Sequence, residues 1–410
     1  MPKVLQINVV ANWGSTGRIA EQIGEKVMEH GWESYVAYGR WKNPSKSHLI
    51  KIGFGWEGRI HYHLTKYTDK HGLFSSWATH RFIRKVKQIK PDIVHLHNIH
   101  GYYINYKILF KYLHKVNIPV VWTLHDCWPM TGHCTHFVGV DCQKWQTQCH
   151  DCPLLGSYPR AKVDNSHNNY RLKRKIFTSL GDKLHLVSVS KWLNGVVDKS
   201  FFAGGGAHQY IIYNGIDSSL FTPQLEASKS QLGLPNKKIL LALATSWSLT
   251  KGLSDYLKLA EMLPEEYQIV LIGLSQEQMD TLPKGIIARP RTDSVEELVR
   301  YYSVADVVLN LSRAETFGLT TIEGLACGVP SVVYNATASP ELVTPQTGRI
   351  VEQGDLEGVV KAVEELCAEN REQMREHCRK HALEHFDRDD NYGKYIDLYE
   401  QILTNKQINK

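Results

Sequence analysis

The chain has 410 residues, 42% hydrophobic and 22% charged, enough for two ordinary domains that each bury a core. Its opening, MPKVLQINVVANWG, lacks the continuous apolar middle of a signal peptide, and no stretch reaches the roughly 18 apolar residues of a membrane span, so a soluble cytoplasmic protein is expected. The net charge of +6 hides an imbalance: residues 1–205 carry 28 Lys and Arg against 13 Asp and Glu, residues 206–410 carry 20 against 29, and sixteen of the twenty histidines lie in the first half. A basic half beside an acidic one fits handling of anionic material, or simply a solvated face.

In chain order, KVLQINVV (3–10) reads as a buried strand that runs into a loop with Gly14 and Gly17 and then a helix. A glycine pair there serves either a plain tight turn or close approach of a ligand. HRFIRKVKQIK (80–90) places Phe82, Ile83, Val86 and Ile89 on one helical face and basic residues elsewhere. Such a helix covers a sheet, or rests weakly on an anionic membrane surface. DIVHLH (92–97) is a second strand, followed by Asn98, His100 and Tyr102; with His97 these are polar and aromatic groups suited to an acceptor sugar. IPVVWTLH (118–125) ends in His125 and Asp126.

Next come Cys134, Cys142, Cys149 and Cys152, spaced C-x7-C-x6-C-x2-C. In a cytoplasmic chain the spacing suits metal ligation better than disulfides, which leaves a structural Zn²⁺ and reduced buried thiols as the two readings. LHLVSVS (184–190) is another strand, and YNGIDSSLFTP (213–223) is punctuated as a linker. The expected divisions are 1–217 with a cysteine-rich insertion at 127–160, 218–386, and a terminal segment 387–410.

The second half repeats the alternation of apolar strands and helices at 238–246, 267–273, 305–312 and 330–335. Parallel strands buried on both faces follow, and ligands in such sheets bind beyond the strands' carboxyl ends. RAETFGLTTIEGLACG (313–328) occupies one such place. A helix can begin near Leu319 and must stop by Gly328, so free N–H groups from about Phe317 to Thr321 face the loop and favour an anion. Glu323 on that helix is ordinary dipole chemistry, but Glu315 in the loop is not. One acid accepting from a ribose diol and the other from sugar hydroxyls would describe a nucleotide-sugar site.

With E-T-F-G-L-T-T-I-E, NGID (214–217), KG (251–252), SPELV (339–343) and TGRIVEQGD (347–355), the chain resembles retaining glycosyltransferases of family 4. That resemblance implies an α/β GT-B fold, two Rossmann-like domains facing across a cleft, and a final helix returning to the first domain. It also implies transfer of a sugar from a UDP- or GDP-sugar to a glycan or lipid-diphosphate-linked acceptor in polysaccharide assembly, with retention and no required metal cofactor. Glu323 would hold the ribose, and Glu315 with His125, supported by Asp126, would face the reacting carbon. Lys251 and the backbone of Phe317, Gly318 and Leu319 would hold sugar and diphosphate, with Gly14 and Gly17 opposite. The family's arginine before the lysine is missing here, where Ser246, Trp247 and Thr250 stand. Arg313, Arg289 or Arg291 could replace its charge, and Arg313 is favoured; Ile287 and Arg289 mark the base loop. The remaining D-x-D, Asp387 to Asp389, reads as solvated. Two other readings stay open: a sugar-nucleotide 2-epimerase of the same fold, and a non-enzymatic zinc-stapled anion-binding protein. No nucleic-acid partner is expected, since an acidic second half is a poor polyanion surface.

Overall fold

A computed structural model describes residues 1–283 and 285–408, the side chain of Leu249 excepted. The chain divides into two compact units, Met1–Tyr213 with Tyr392–Lys410, and Asn214–Asn391. The boundary thus falls just before the expected 217, and the terminal segment joins the first unit from Tyr392 onward.

The first unit is built on seven parallel strands: β1 (Lys3–Asn8), β2 (Glu33–Tyr38), β3 (His48–Lys51), β4 (Ile93–Leu96), β5 (Val120–Leu124), β6 (Leu184–Ser188) and β7 (His208–Ile211). Their order is β3-β2-β1-β4-β5-β6-β7. β4, β5 and β6 are buried along their whole lengths, which is why they read as continuous apolar runs. The second unit has β8 (Lys238–Leu243), β9 (Tyr267–Ile272), β10 (Ile286–Arg289), β11 (Val307–Asn310), β12 (Ser331–Tyr334) and β13 (Gly348–Val351), ordered β10-β9-β8-β11-β12-β13. Both are doubly wound sheets whose strand order reverses beside the first strand, at β1/β4 and at β8/β11. Loops diverge at such a reversal and leave a crevice, so the loops after these strands are where ligands bind.

The helix Ser76–Ile89 settles one expectation. Phe82, Ile83 and Val86 are buried, and the helix packs against the helix Tyr106–Lys115, so its apolar face is not available to a membrane. The helix Arg388–Ile408 supplies Tyr392, Tyr395, Ile396, Leu398, Tyr399 and Ile402 to a core cluster of the first unit with Val4, Ile23, Ile93 and Val121. Its start corrects the reading of D-x-D as solvated: Asp387 accepts from the Asp389 and Asp390 N–H groups and from Ser218 Oγ, a helix cap. Among the described residues no helix is long and apolar enough to cross a membrane.

Candidate functional site

In the second unit, the loops after β8 and β11 meet at the reversal of strand order. Arg313 N–H donates to the Thr250 carbonyl at 2.8 Å, which ties the glutamate loop to the lysine loop. Gly252 makes that approach feasible: its φ is +72°, and a Cβ there would lie 2.2 Å from the Leu311 carbonyl oxygen. The result is an ion pair, Lys251 Nζ to Glu315 Oε1 at 2.5 Å, with the lysine one-third exposed and the glutamate mostly covered. Glu315 is held in turn from its backbone, donating N–H to Thr337 Oγ1 and accepting at its carbonyl from Ala338 N–H.

The helix after this loop spans Leu319–Ala326, close to the expected limits. Gly318 precedes it in a positive-φ conformation and offers no side-chain cap, so the first-turn amides are not closed off by a capping side chain. Glu323 is buried and accepts a 2.8 Å hydrogen bond from Tyr302 O–H at Oε2. Phe317 points inward, buried and edge-on to Phe386, so only its backbone can serve a ligand. Leu319 is half-buried.

The positive groups are distributed differently from the simplest expectation. Arg313 Nη2 donates to both oxygens of buried Asp255, at 2.9 and 3.0 Å, and Tyr334 O–H adds a third bond to that carboxylate. Arg289, at the end of edge strand β10 with Ile287, donates to the Ala288 and Leu232 carbonyls and to Tyr301. Arg291 stands exposed. Trp247, one of the residues found where the family carries arginine, is buried and donates its indole N–H to the Ile272 carbonyl.

In the first unit, Gly14 and Gly17 open the helix Gly14–Glu29 after β1, and a Cβ on Gly17 would lie 3.0 Å from Val10 Cγ2. A chain of hydrogen bonds then fixes the tautomer of His125. Gln6 Nε2 donates to the Ala20 carbonyl at 2.7 Å, so Gln6 Oε1, 2.9 Å from His97 Nε2, is the acceptor; the reverse amide would face oxygen with oxygen. His97 Nε2 therefore carries the proton, and its Nδ1 accepts from His125 Nε2 at 3.0 Å. Neutral His125 is left with its lone pair on Nδ1. Burial lowers its pKa to about 4 against a smaller opposing pull from Asp126, so the ring is neutral at physiological pH.

Asp126 does not share its hydrogen bonds with that chain. Its Oδ2 pairs with His100 Nε2 at 2.8 Å, its Oδ1 accepts from Trp128 N–H, and His100 Nδ1 meets Tyr158 O–H at 3.0 Å. Burial would raise the Asp126 carboxyl, but His100, by charge and hydrogen bond, brings it down to about 2. Asn98 N–H contacts Asn8 Oδ1. Tyr102 is buried in the positive-φ region at +70°, and desolvation pushes its phenol up to about 12.

Tyr102 also lines a pocket of about 510 Å³ with Arg40, Trp41, Lys51, Arg59 and Tyr62, a cationic and aromatic lining that the sequence reading missed. YGRW at the end of β2 was its signal. Gln6 was missed as well, and an amide inside an otherwise apolar strand was the clue.

The four cysteines of the insertion are free thiols that line one small cavity. Among the described residues no three His, Cys, Asp or Glu side chains already stand in a metal-ligating arrangement.

The comparisons bear on the family and the fold. A model of Glycosyltransferase Family 4 matches residues 16–220, and a model of Glycosyl transferases group 1 matches 225–385. The putative colanic acid biosynthesis glycosyl transferase WcaC of Escherichia coli (strain K12) is 24% identical over 372 residues, 86% of this chain and 88% of that protein. Alpha-monoglucosyldiacylglycerol synthase of Acholeplasma laidlawii is 26% identical over 267 residues, covering 62% and 61%. Among solved structures, sucrose-phosphate synthase from Thermosynechococcus elongatus superimposes with a TM-score of 0.74 at 16% identity, over 98% of this chain and 100% of that one. Anabaena Alr3699/HepE, in complex with UDP and glucose, gives 0.66 at 15% identity over 98% and 100%.

Proposed function

Because the chain belongs to Glycosyltransferase Family 4 and is a GT-B glycosyltransferase of polysaccharide biosynthesis, we propose that it transfers a sugar from a UDP- or GDP-sugar, with retention, to a glycan or lipid-diphosphate-linked acceptor. The observation that carries this reading is the Lys251–Glu315 pair set before the uncapped start of the helix Leu319–Ala326. Without donor, Glu315 neutralises Lys251. A nucleoside diphosphate competes for that ammonium and receives the first-turn amides of the helix, while the glutamate turns to the sugar.

Departure of the diphosphate builds negative charge at Lys251 and an oxocarbenium-like centre on the sugar. A lysine and helix amides can carry the leaving charge, which favours a metal-independent reaction. Arg313, bonded through Nη2 to Asp255 while its Nε has no partner, stiffens the loop and keeps donor groups beside the diphosphate. Buried Glu323, braced by Tyr302, takes the ribose diol, and neutral His125 serves the reacting sugar. His100 and Asp126 position the neighbouring acceptor side. The relatives named above are transferases and glycoside-forming synthases, and transfer is preferred to epimerisation or non-catalytic anion binding on that ground.

For the acceptor, the cationic pocket at Arg40, Lys51 and Arg59 shares Glu57 and Ser75 with an apolar groove of Trp56, Ile60, Leu64, Phe74 and Trp77. Phosphate beside apolar surface is the chemistry of a lipid diphosphate at a membrane face.

Titration calorimetry with UDP, GDP and ADP, without added metal, tests the donor site. One diphosphate should bind to the wild type, and Glu323→Ala should weaken it at least about tenfold, as expected for a lost buried hydrogen-bond pair. Binding of none of the three to the wild type would overturn the reading.

A further inference from the structure

The cavity in the insertion is independent of the donor site and has a composition that sugar transfer does not call for. Its walls include His133, Cys134, Cys142, Trp145, Cys149 and Cys152. Cys134 and Cys149 are buried, Cys142 and Cys152 half-buried, and no disulfide joins any of them.

Three further features belong with the thiols. The sulfur of Cys149 accepts a backbone N–H bond from Gly132 at 3.2 Å. Such a bond favours a sulfur that carries negative charge. His133 is fully buried, with Nδ1 on Asp69 Oδ1 at 2.5 Å, yet its Nε2 has no hydrogen-bond partner. An imidazole held by a carboxylate at one nitrogen, with the other bare at a thiol-lined cavity, is an arrangement that recurs at metal sites. The third is Lys173, buried in the helix Ser166–Phe177. It donates to the Trp128 and Thr131 carbonyls at 2.7 and 3.0 Å, Thr131 being part of the cavity wall, and lies 3.5 Å over the Trp128 ring. A buried ammonium bonded only to carbonyls is stabilised by negative charge nearby, and a divalent ion with four thiolates carries a net charge of about −2.

We propose that this cavity is a structural zinc site, ligated by Cys134, Cys142, Cys149 and Cys152, with the His133–Asp69 pair and Lys173 packed beside it. The thiols surround the cavity without yet closing on its centre, so uptake turns the side chains inward and releases their protons. A soft sulfur set of four selects zinc over the oxygen-seeking cations. The ion would do structural work: the same insertion delivers Tyr158 to His100, and Asp69, at the end of the helix Gly55–Thr68, also accepts from Asn165 N–H beyond the insertion. Zinc therefore fastens the loop that steadies the Asp126–His100 pair on the acceptor side.

The test uses the full-length protein, purified without chelator. Elemental analysis should find one zinc per chain, released by a mercurial that titrates thiols, and replacement by Co²⁺ should give the intense thiolate-to-metal band of a tetrahedral sulfur site. Cys149→Ser and Cys152→Ser should each lose the metal, whereas Cys367→Ser, in the other unit, should keep it. If those variants fail to fold, Co²⁺ titration of the stripped wild type still decides. A wild type with no stoichiometric zinc and no cobalt band on titration overturns the proposal. Diphosphate binding in the second unit is a separate measurement, so failure here leaves the donor site standing.

Discussion

Lys251 shows how much one side chain can carry in this site. Its charge is matched by Glu315, while Arg289 is bonded to carbonyls and Arg313 spends Nη2 on Asp255. The load on Lys251 is correspondingly heavy. Lys251→Ala should lower turnover by about 10²–10³-fold, the usual loss when one preorganised group facing developing negative charge is removed. Nucleotide release at saturating donor measures it, and a fall of less than about threefold would move the leaving-group charge to other residues. Lys251 and Glu323 stood out through their match to the family's motif, and Glu315 also because an acid in that loop has no helix-dipole role. The wiring around them did not, because Asp255, Tyr302 and Gln6 act through partners far away in the chain, and a sequence does not display which distant groups will meet.

At the scale of elements, the buried central strands could be read directly, while β2, β3, β7, β10 and β13 could not. Those five lie at or next to sheet edges, are four to six residues long, and mix polar with apolar positions, so their pattern competes poorly with loops. The same limit misdirected the search for a membrane face. The helix Ser76–Ile89 has the stronger amphipathic pattern, but its apolar stripe is buried within the unit. The preceding helix Gly55–Thr68, with a weaker pattern, leaves Trp56, Ile60 and Leu64 exposed beside Trp77, and Arg59, His63 and Lys70 stand exposed near them. Tryptophans with cations at a surface suit the interface of an anionic bilayer. The double variant Trp56→Ser/Trp77→Ser should lose co-sedimentation with phosphatidylglycerol vesicles at low salt while its thermal midpoint changes little. Equal sedimentation of wild type and variant would remove this patch from the membrane model.

For the whole molecule, acid should act unequally on the two units. Desolvation lowers His61 and His95 to about 3, His125 and His185 to about 4, and His71 and His97 well below their ordinary value, and all six lie in the first unit. Each is neutral when folded and takes up a proton near pH 6.5 when unfolded, so the unfolded state binds more protons at intermediate pH. The stabilisation is therefore complete above about pH 6.5 and is lost progressively as pH falls toward 4. Among the described residues of the second unit, only His381 is shifted in this way. Scanning calorimetry at pH 7.5 and 5.0 should show one transition moving down much further than the other, assignable by the first unit's indole-rich fluorescence. Parallel shifts of both transitions would contradict the account.

The composition of the first unit also sets an order in time. Tyr395 and Tyr399 reach Thr123 and His95 on the central strands, yet they follow the entire second unit in the chain. On the ribosome, β1 through β7 emerge early and must wait, with part of their core open, until residues 392–402 have been made. The second unit is uninterrupted and can close as soon as it is extruded. The half of the protein that is translated first is thus the half that matures last, and the interval between the two is when a chaperone would find exposed apolar surface.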